Sequence, residues 1–247
     1  MFLHKSMLQI WMQCPLRFKM EFIENRPRQV TYEMQLGSMF HDFARDFFDF
    51  VDLKTASRCK SLKEVSSLFG KLVLPEFPPV LKKLCRNFTA FEAARYWTLR
   101  ERNRLDIYMP VARELTIEDP KTMLAGTIDR IDKMADDTLC IVEYKTGNPQ
   151  IRSVQRELAF YKILLDAVGI YDEQIKWLAI YNPDRQKFYV RTFSTQLVRA
   201  TQRRIGQFWR SYQKGIFEAK PGFRCIFCPH KNDCPYIIGG ESDESDN

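Results

Sequence analysis

Three cysteines crowd the C-terminal end of the chain in Cys225-Ile226-Phe227-Cys228-Pro229-His230-Lys231-Asn232-Asp233-Cys234, a C-x2-C-x5-C run. Thiols this close in sequence point to a shared ligand, and a tetrathiolate site needs one more. Cys14, in Gln13-Cys14-Pro15, is the natural candidate, and it stands near the opposite end of the sequence. A fold that uses all four must bring the ends of the chain together. The spacing admits either Zn²⁺ or a [4Fe–4S] cluster, with His230 as an alternative zinc ligand. Seven cysteines are an odd number, and no export signal opens the sequence, so a disulfide framework is not expected. Cys59, Cys85 and Cys140 lie in apolar or mixed surroundings and read as ordinary buried thiols.

The 247 residues suit one core with a modest insertion, and 19 Phe, 10 Tyr and 4 Trp are ample to fill it. No apolar run approaches the roughly 20 residues of a membrane span, which makes a cytoplasmic protein with no membrane partner the expectation. Lys and Arg outnumber Asp and Glu by 38 to 31. Four of those acids fall in the tail Glu241-Ser242-Asp243-Glu244-Ser245-Asp246, so the body is more basic still. A basic body suits a polyanion, since Lys and Arg contacts release counterions from phosphates.

The hydrophobic period divides the chain. Helical spacing runs over 6–23, interrupted by Pro15, and over 32–51. Further helical pieces at 61–70 and 79–103 are separated by Pro75-Glu76-Phe77-Pro78-Pro79. From about 107 the pattern alternates, which predicts strands at 107–118, 123–133 and 138–145. A helix over 152–168 stops at Gly169, strands follow at 174–182 and 186–193, and a helix covers 195–214. This order makes an α/β or α+β core. On the last helix Arg199, Arg203, Arg204 and Arg210 accompany Phe208, Trp209 and Tyr212, with the aromatics expected in the core.

Two segments carry chemistry. Gly126-Thr127-Ile128-Asp129-Arg130-Ile131-Asp132 is followed, after a turn, by Val142-Glu143-Tyr144-Lys145-Thr146-Gly147. On a strand, Glu143 and Lys145 share a face about 7 Å apart, and a hairpin partner would add Asp129 to it. Carboxylates hold Mg²⁺ or Mn²⁺ through oxygen. The metal activates water and polarises the phosphoryl group, while a lysine stabilises developing charge. Without further context an acid-x-Lys pair is more often a solvated strand face.

The context is a resemblance. GTIDRID and EYKTG, with Gly37-Ser38-Met39-Phe40-His41 upstream, Glu114 on the first strand and Glu157-Leu158-Ala159-Phe160-Tyr161 downstream, resemble the RecB-like branch of the PD-(D/E)XK nucleases. The resemblance implies an α/β restriction-endonuclease-like core, a central mixed sheet flanked by helices. It implies that Asp129, Glu143, His41 and the Tyr144 carbonyl ligate Mg²⁺ or Mn²⁺, with Glu114 as a further acid. Lys145 would be the catalytic lysine and Tyr161 would contact the DNA backbone. Glu157 stands where the family has Gln, so its carboxylate would face phosphate unless it meets metal, Arg152 or Arg156. Some members, similar to CRISPR-associated adaptation nucleases and AddAB-type nuclease domains, hold a [4Fe–4S] cluster on one cysteine before the core and C-x2-C-x5-C after it. That implies Cys14, Cys225, Cys228 and Cys234 as cluster ligands and a structural staple between the two ends.

The expected organisation is an N-terminal segment 1–30, a nuclease core 31–194 with a helical insertion at about 52–105, a helix and cysteine clasp 195–238, and a disordered acidic tail 239–247. The expected activity is metal-dependent DNA cleavage from single-stranded ends, with helicase or CRISPR adaptation proteins as partners. Lys82, Lys83, Arg86, Arg95, Arg100, Arg102 and Arg104 are candidates for the wall of a DNA channel. A catalytically silent or zinc-stapled DNA-binding protein is the alternative.

Overall fold

A computed structural model describes residues 1–27 and 30–236; the acidic tail 239–247 lies outside the described residues. The chain forms two compact units, Met1–Lys5 with Thr31–Gln202 and Ser6–Val30 with Arg203–Asn247.

In the larger unit the alternating segments become β1 (Ala112–Asp119), β2 (Leu124–Lys133) and β3 (Leu139–Tyr144), paired antiparallel. The first strand starts later than its pattern predicts, because Leu105–Ile107 close a 3-10 turn. α7 (Ile151–Val168) follows β3 and ends at Gly169, whose φ of +65° gives the left-handed cap that glycine adopts without strain. β4 (Ile175–Asn182) then lies parallel to β3, and β5 (Lys187–Thr192) pairs antiparallel with β4. The order β1-β2-β3-β4-β5 makes a mixed sheet flanked by helices, the α/β class expected.

Four helices precede the sheet: α3 (Tyr32–Phe50), α4 (Leu53–Ala56), α5 (Leu62–Gly70) and α6 (Pro79–Glu101). Oxygen-bearing side chains open three of them. Thr31, Asp52 and Ser61 accept from the backbone N–H groups of Met34, Thr55 and Glu64. Phe40, Phe47, Phe69 and Phe88 pack edge to face, and their core continues through Val142, Tyr144, Ala179 and Tyr181 of the sheet. The helical stretch 52–105 therefore belongs to the same core as α3. Truncating a ring as buried as Phe88 to Ala costs about 3–5 kcal/mol.

Several basic groups of α6 find partners within the chain. Arg95 donates to the carbonyls of Tyr108 and Ile107, Arg100 to that of Cys59, and Lys82 to that of Pro75. Arg104, just beyond the helix, binds Asp106 and the Ala135 carbonyl. These four side chains each donate to a carbonyl oxygen of the chain.

Beneath β2 the larger unit buries a charge network. Arg130 is 2% exposed. It donates to Glu92 at 2.6 Å, to Asp132 at 2.7 Å and to the Tyr144 hydroxyl at 3.3 Å. Each charge has a partner, the condition under which ions survive burial.

The smaller unit is built on aromatics. α1 (Lys5–Gln13) stops before Pro15, which occupies the first turn of α2 (Pro15–Phe18), and a π-turn covers Lys19–Ile23. Trp11 and Phe18 pack edge to face against Phe208 of α8 (Thr195–Gln213), and Phe18 stacks on Phe217. Phe208 is fully buried, as expected of the aromatics on that helix. Cys225 lies in a 3-10 turn, Phe223–Phe227, while Cys228 directly follows that turn and Cys234 directly follows a second one, Lys231–Asp233. Among the described residues no helix is long and apolar enough to cross a membrane.

Candidate active site

The sheet register aligns three acids. Arg130 pairs with Val142 and Ile131 with Ile141, so one step further Asp129 stands opposite Glu143. β1 pairs with β2 through Arg113 with Arg130 and Leu115 with Ile128, which sets Glu114 opposite Asp129. Glu114 has a φ of +44°. That left-handed conformation costs a non-glycine residue about 1–3 kcal/mol and is retained where surrounding structure enforces it.

The kink at Glu114 goes with a convergence of donors. His41, on the third turn of α3, places Nδ1 3.5 Å from Asp129 Oδ1 and 3.6 Å from Glu114 Oε1. One donor atom from each of these residues lies within 4.8 Å of the others. Asp129 Oδ2 accepts from the Tyr144 backbone N–H at 2.8 Å. Glu114 Oε1 and Glu143 Oε2 are buried without a hydrogen-bond partner. Buried carboxylate oxygens without donors are costly unless a cation meets them. Oxygen donors with one imidazole suit a hard divalent ion such as Mg²⁺ or Mn²⁺, so the residues fit the metal that the resemblance implies.

The electrostatics match. Burial, reinforced by the neighbouring charge of Glu143, raises the Asp129 carboxyl above its ordinary value. Burial alone would lower His41, but the carboxylates of Asp129 and Glu114 lift it to about 10. The imidazole is thus protonated and would have to give up that proton to serve as a metal ligand. Burial would raise Glu143, yet the ammonium groups of Lys5 and Lys145 hold it at about 2.

Lys145 shares the face of Glu143, as the strand alternation requires. Its Nζ lies 2.8 Å from Glu143 Oε1 and 2.9 Å from Glu157 Oε2. Glu157 therefore turns to the lysine, and its carboxylate meets neither Arg152 nor Arg156 in these ion pairs. Tyr144, between Glu143 and Lys145, sends its side chain to the opposite face and Arg130, leaving only its backbone toward the acids.

Tyr161, expected from the resemblance to contact DNA, packs against β2. It is 2% exposed, and its hydroxyl donates to the Thr127 carbonyl. The ring covers Gly126, where a Cβ would come 2.7 Å from Tyr161 Cε1. Glycine at 126 permits that approach, and the tyrosine props the strand that carries Asp129.

Sequence reasoning missed Lys5. Its Nζ binds the same Glu143 oxygen as Lys145, lies 3.8 Å from Glu157 and sits 4.7 Å from the Tyr161 ring centroid. The contact joins positions far apart in sequence, and no local motif announces it.

In the smaller unit Cys14, Cys225, Cys228 and Cys234 line one cavity with Gln13, Arg17 and Met20, and all four are free thiols. His230 is 4% exposed and faces Glu21, with Nε2 3.5 Å from its Oε1. Cys85 and Cys140 are buried, and burial pushes the Cys85 thiol up to about 12. Cys59 is only half-buried, beside the Thr55 carbonyl.

Comparison with known proteins follows this geometry. No curated protein sequence matches the chain. Among solved structures, a candidate exonuclease from Eubacterium rectale is similar in fold, with a TM-score of 0.54 and 10% identity over 93% of this chain and 87% of that one. A second structure, SSO0001, aligns at a TM-score of 0.33 and 15% identity over 91% of this chain and 96% of that one. The family model of the PD-(D/E)XK nuclease superfamily matches residues 5–235, nearly the whole chain. With its acids aligned across β1, β2 and β3 and its lysine beside Glu143, this chain belongs to the PD-(D/E)XK nuclease superfamily.

Proposed function

We propose that the protein is a Mg²⁺- or Mn²⁺-dependent deoxyribonuclease that degrades DNA from single-stranded ends. The observation that carries this reading is the convergence of His41, Glu114 and Asp129 beside the Glu143–Lys145 pair. When bound, a divalent cation polarises a phosphoryl oxygen and acidifies its water. His41, Glu114 and Asp129 would hold it, with Glu143 Oε2 and the Tyr144 carbonyl completing the protein ligands. The Tyr144 N–H fixes the Asp129 carboxylate by occupying Oδ2. Lys145 holds its proton because the carboxylates of Glu143 and Glu157, opposing burial, raise its pKa. Its ammonium is then available to stabilise charge developing on the phosphate.

The exonuclease assignment rests on the RecB-like resemblance, and the Eubacterium rectale protein of similar fold is named for that activity. The same resemblance supports a [4Fe–4S] cluster on Cys14, Cys225, Cys228 and Cys234, and repair helicases or CRISPR adaptation proteins as partners. The four sulfurs line one cavity, as a shared ligand requires. His230, the alternative zinc ligand, faces Glu21.

The test compares linear single-stranded DNA with a closed circle of similar length, in Mn²⁺ and low salt, using protein purified without oxygen. Degradation of the linear strand alone is expected. Equal loss of the circle would replace exonuclease with endonuclease, and four-sulfur iron in the visible spectrum and metal analysis is expected in place of zinc.

A further inference from the structure

β5 closes the sheet on one side, and all six of its residues are exposed. One of them belongs to the row that carries the acids. Glu143 pairs with Ile180 of β4, and Ile180 pairs with Tyr189 of β5. Side chains directly opposite one another share a sheet face, so Tyr189 stands on the face of Glu114, Asp129 and Glu143. Two strand spacings, about 10 Å, separate its backbone from that of Glu143.

A cleft of about 500 Å³ opens on this face, a volume that suits a small ligand. Ile180 and Tyr189 line it, with Asn148, Asn182, Arg185 and Lys187. Its walls are braced. The Asn182 side-chain amide donates to the Gly147 carbonyl at 2.9 Å, and its Oδ1 accepts from the Arg185 N–H at 2.9 Å. The neighbouring Asp184 carboxylate accepts from the Gly147 N–H and is thereby occupied. The Tyr189 hydroxyl accepts from Gln155 and from Arg191, each at 3.1 Å, which pins an exposed ring at the wall of the cleft. Among the described residues no acid lines the cleft, and Arg185 and Lys187 have no ion-pair partner.

A fixed ring accepts the face of any base, and two unpaired cations attract phosphate. Bases inside a duplex are stacked on their neighbours and have no free face to offer, so the matching ligand is a single strand. Asn148, in the wall, directly follows the EYKTG segment that carries Glu143 and Lys145. We propose that this cleft is a nucleotide subsite, where the strand beside the cleaved phosphate stacks a base on Tyr189 and sets a phosphate against Arg185 and Lys187. The inference rests on the nuclease reading given above and gives it a single-strand contact that the metal site does not supply.

Fluorescence anisotropy of a labelled single-stranded oligothymidylate, titrated with the full-length protein in EDTA, measures binding without cleavage. Tyr189→Ala is expected to weaken binding about tenfold, the effect of losing one base–aromatic stack, and Tyr189→Phe to bind as wild type does. With Arg185→Ala and Lys187→Ala combined, the slope of log affinity against log salt should become shallower by about 1.4, the counterion release of two single-strand phosphates. Both side chains are exposed, so this variant keeps its fold. Wild-type affinity in Tyr189→Ala, or an unchanged salt slope in the double variant, would overturn the proposal. Equal weakening by Tyr189→Ala and Tyr189→Phe would do so too, since it would give the tyrosine a bracing role through its hydroxyl. Absence of binding by wild type would also overturn it. The nuclease reading is decided separately, by Mn²⁺-dependent cleavage.

Discussion

Glu157 Oε2 lies 2.9 Å from Lys145 Nζ, so the acid at the position expected to hold Gln is an ion-pair partner of the lysine proposed to act in catalysis. Glu157 is 8% exposed and its charge is balanced within the site.

This pairing fixes a pH response. Burial favours the neutral form of Lys145, and the Glu143 and Glu157 carboxylates outweigh it to hold the pKa above the ordinary value. The charged form is present below that pKa and is lost as pH rises through it. Glu157→Gln removes one of the two carboxylates, so the alkaline limb of the cleavage profile should move to lower pH. The limb is read from kcat/KM between neutral and high pH; an unmoved limb would separate Glu157 from the lysine.

Glu114 combines a left-handed backbone with a proposed ligand role, and the two separate by substitution. Glu114→Gly relieves the positive φ and should leave stability unchanged or raise it by up to about 1 kcal/mol. The same change should weaken Mn²⁺ binding by at least about tenfold. Thermal unfolding and Mn²⁺ titration read the two effects. A variant with lower stability and unaltered affinity would make Glu114 structural only.

Gly126→Ala tests the tyrosine prop. A Cβ 2.7 Å from Tyr161 Cε1 must push the ring and weaken its bond to the Thr127 carbonyl. Overpacking of this kind costs about 1–3 kcal/mol, and cleavage should fall because the strand carrying Asp129 shifts. Gly126→Ala paired with Tyr161→Phe should lose less than the two changes added together.

Arg130→Met leaves Glu92 and Asp132 with one cation fewer in the core. Breaking a buried pair in this way costs about 3–5 kcal/mol, which chemical denaturation measures. A loss below about 1 kcal/mol would show that Arg95, 3.2 Å from Glu92 and 3.6 Å from Asp132, suffices for both acids.

What the sequence disclosed follows from locality. Strand alternation alone set Glu143 and Lys145 on one face, and the hairpin geometry put Asp129 opposite Glu143. The helix–strand order was legible because the hydrophobic period changes near residue 107 and Gly169 marks a stop. Lys5 was invisible because its partners, Glu143 and Glu157, lie on β3 and α7, and a single lysine at a helix start has no spacing to betray it. The positive φ of Glu114 was equally hidden, since its neighbours pair in regular register on both sides. Arg95 and Arg100 read as a basic surface because side chains that satisfy distant carbonyls look, in sequence, like side chains in water.

The cysteine clasp is tested by iron content. Cys14→Ser, Cys225→Ser, Cys228→Ser and Cys234→Ser should each bleach the protein and lower its unfolding temperature. Cys85→Ser and Cys140→Ser, whose thiols are buried away from that cavity, should retain full iron. Full iron in Cys14→Ser would give the fourth ligand to another residue.

The central claim is that Asp129, Glu143 and Lys145 cleave DNA with a divalent metal. Its most direct measurement is Mn²⁺-dependent release of nucleotides from end-labelled DNA by wild type, Asp129→Asn and Lys145→Met. Wild type should cleave and lose activity in EDTA, and each variant should be slowed by at least about 10²-fold while keeping its fold. Loss in Lys145→Met should persist at saturating Mn²⁺, because the lysine acts on charge that the metal does not neutralise. Cleavage by both variants at the wild-type rate would contradict the account and move the active site elsewhere in the protein.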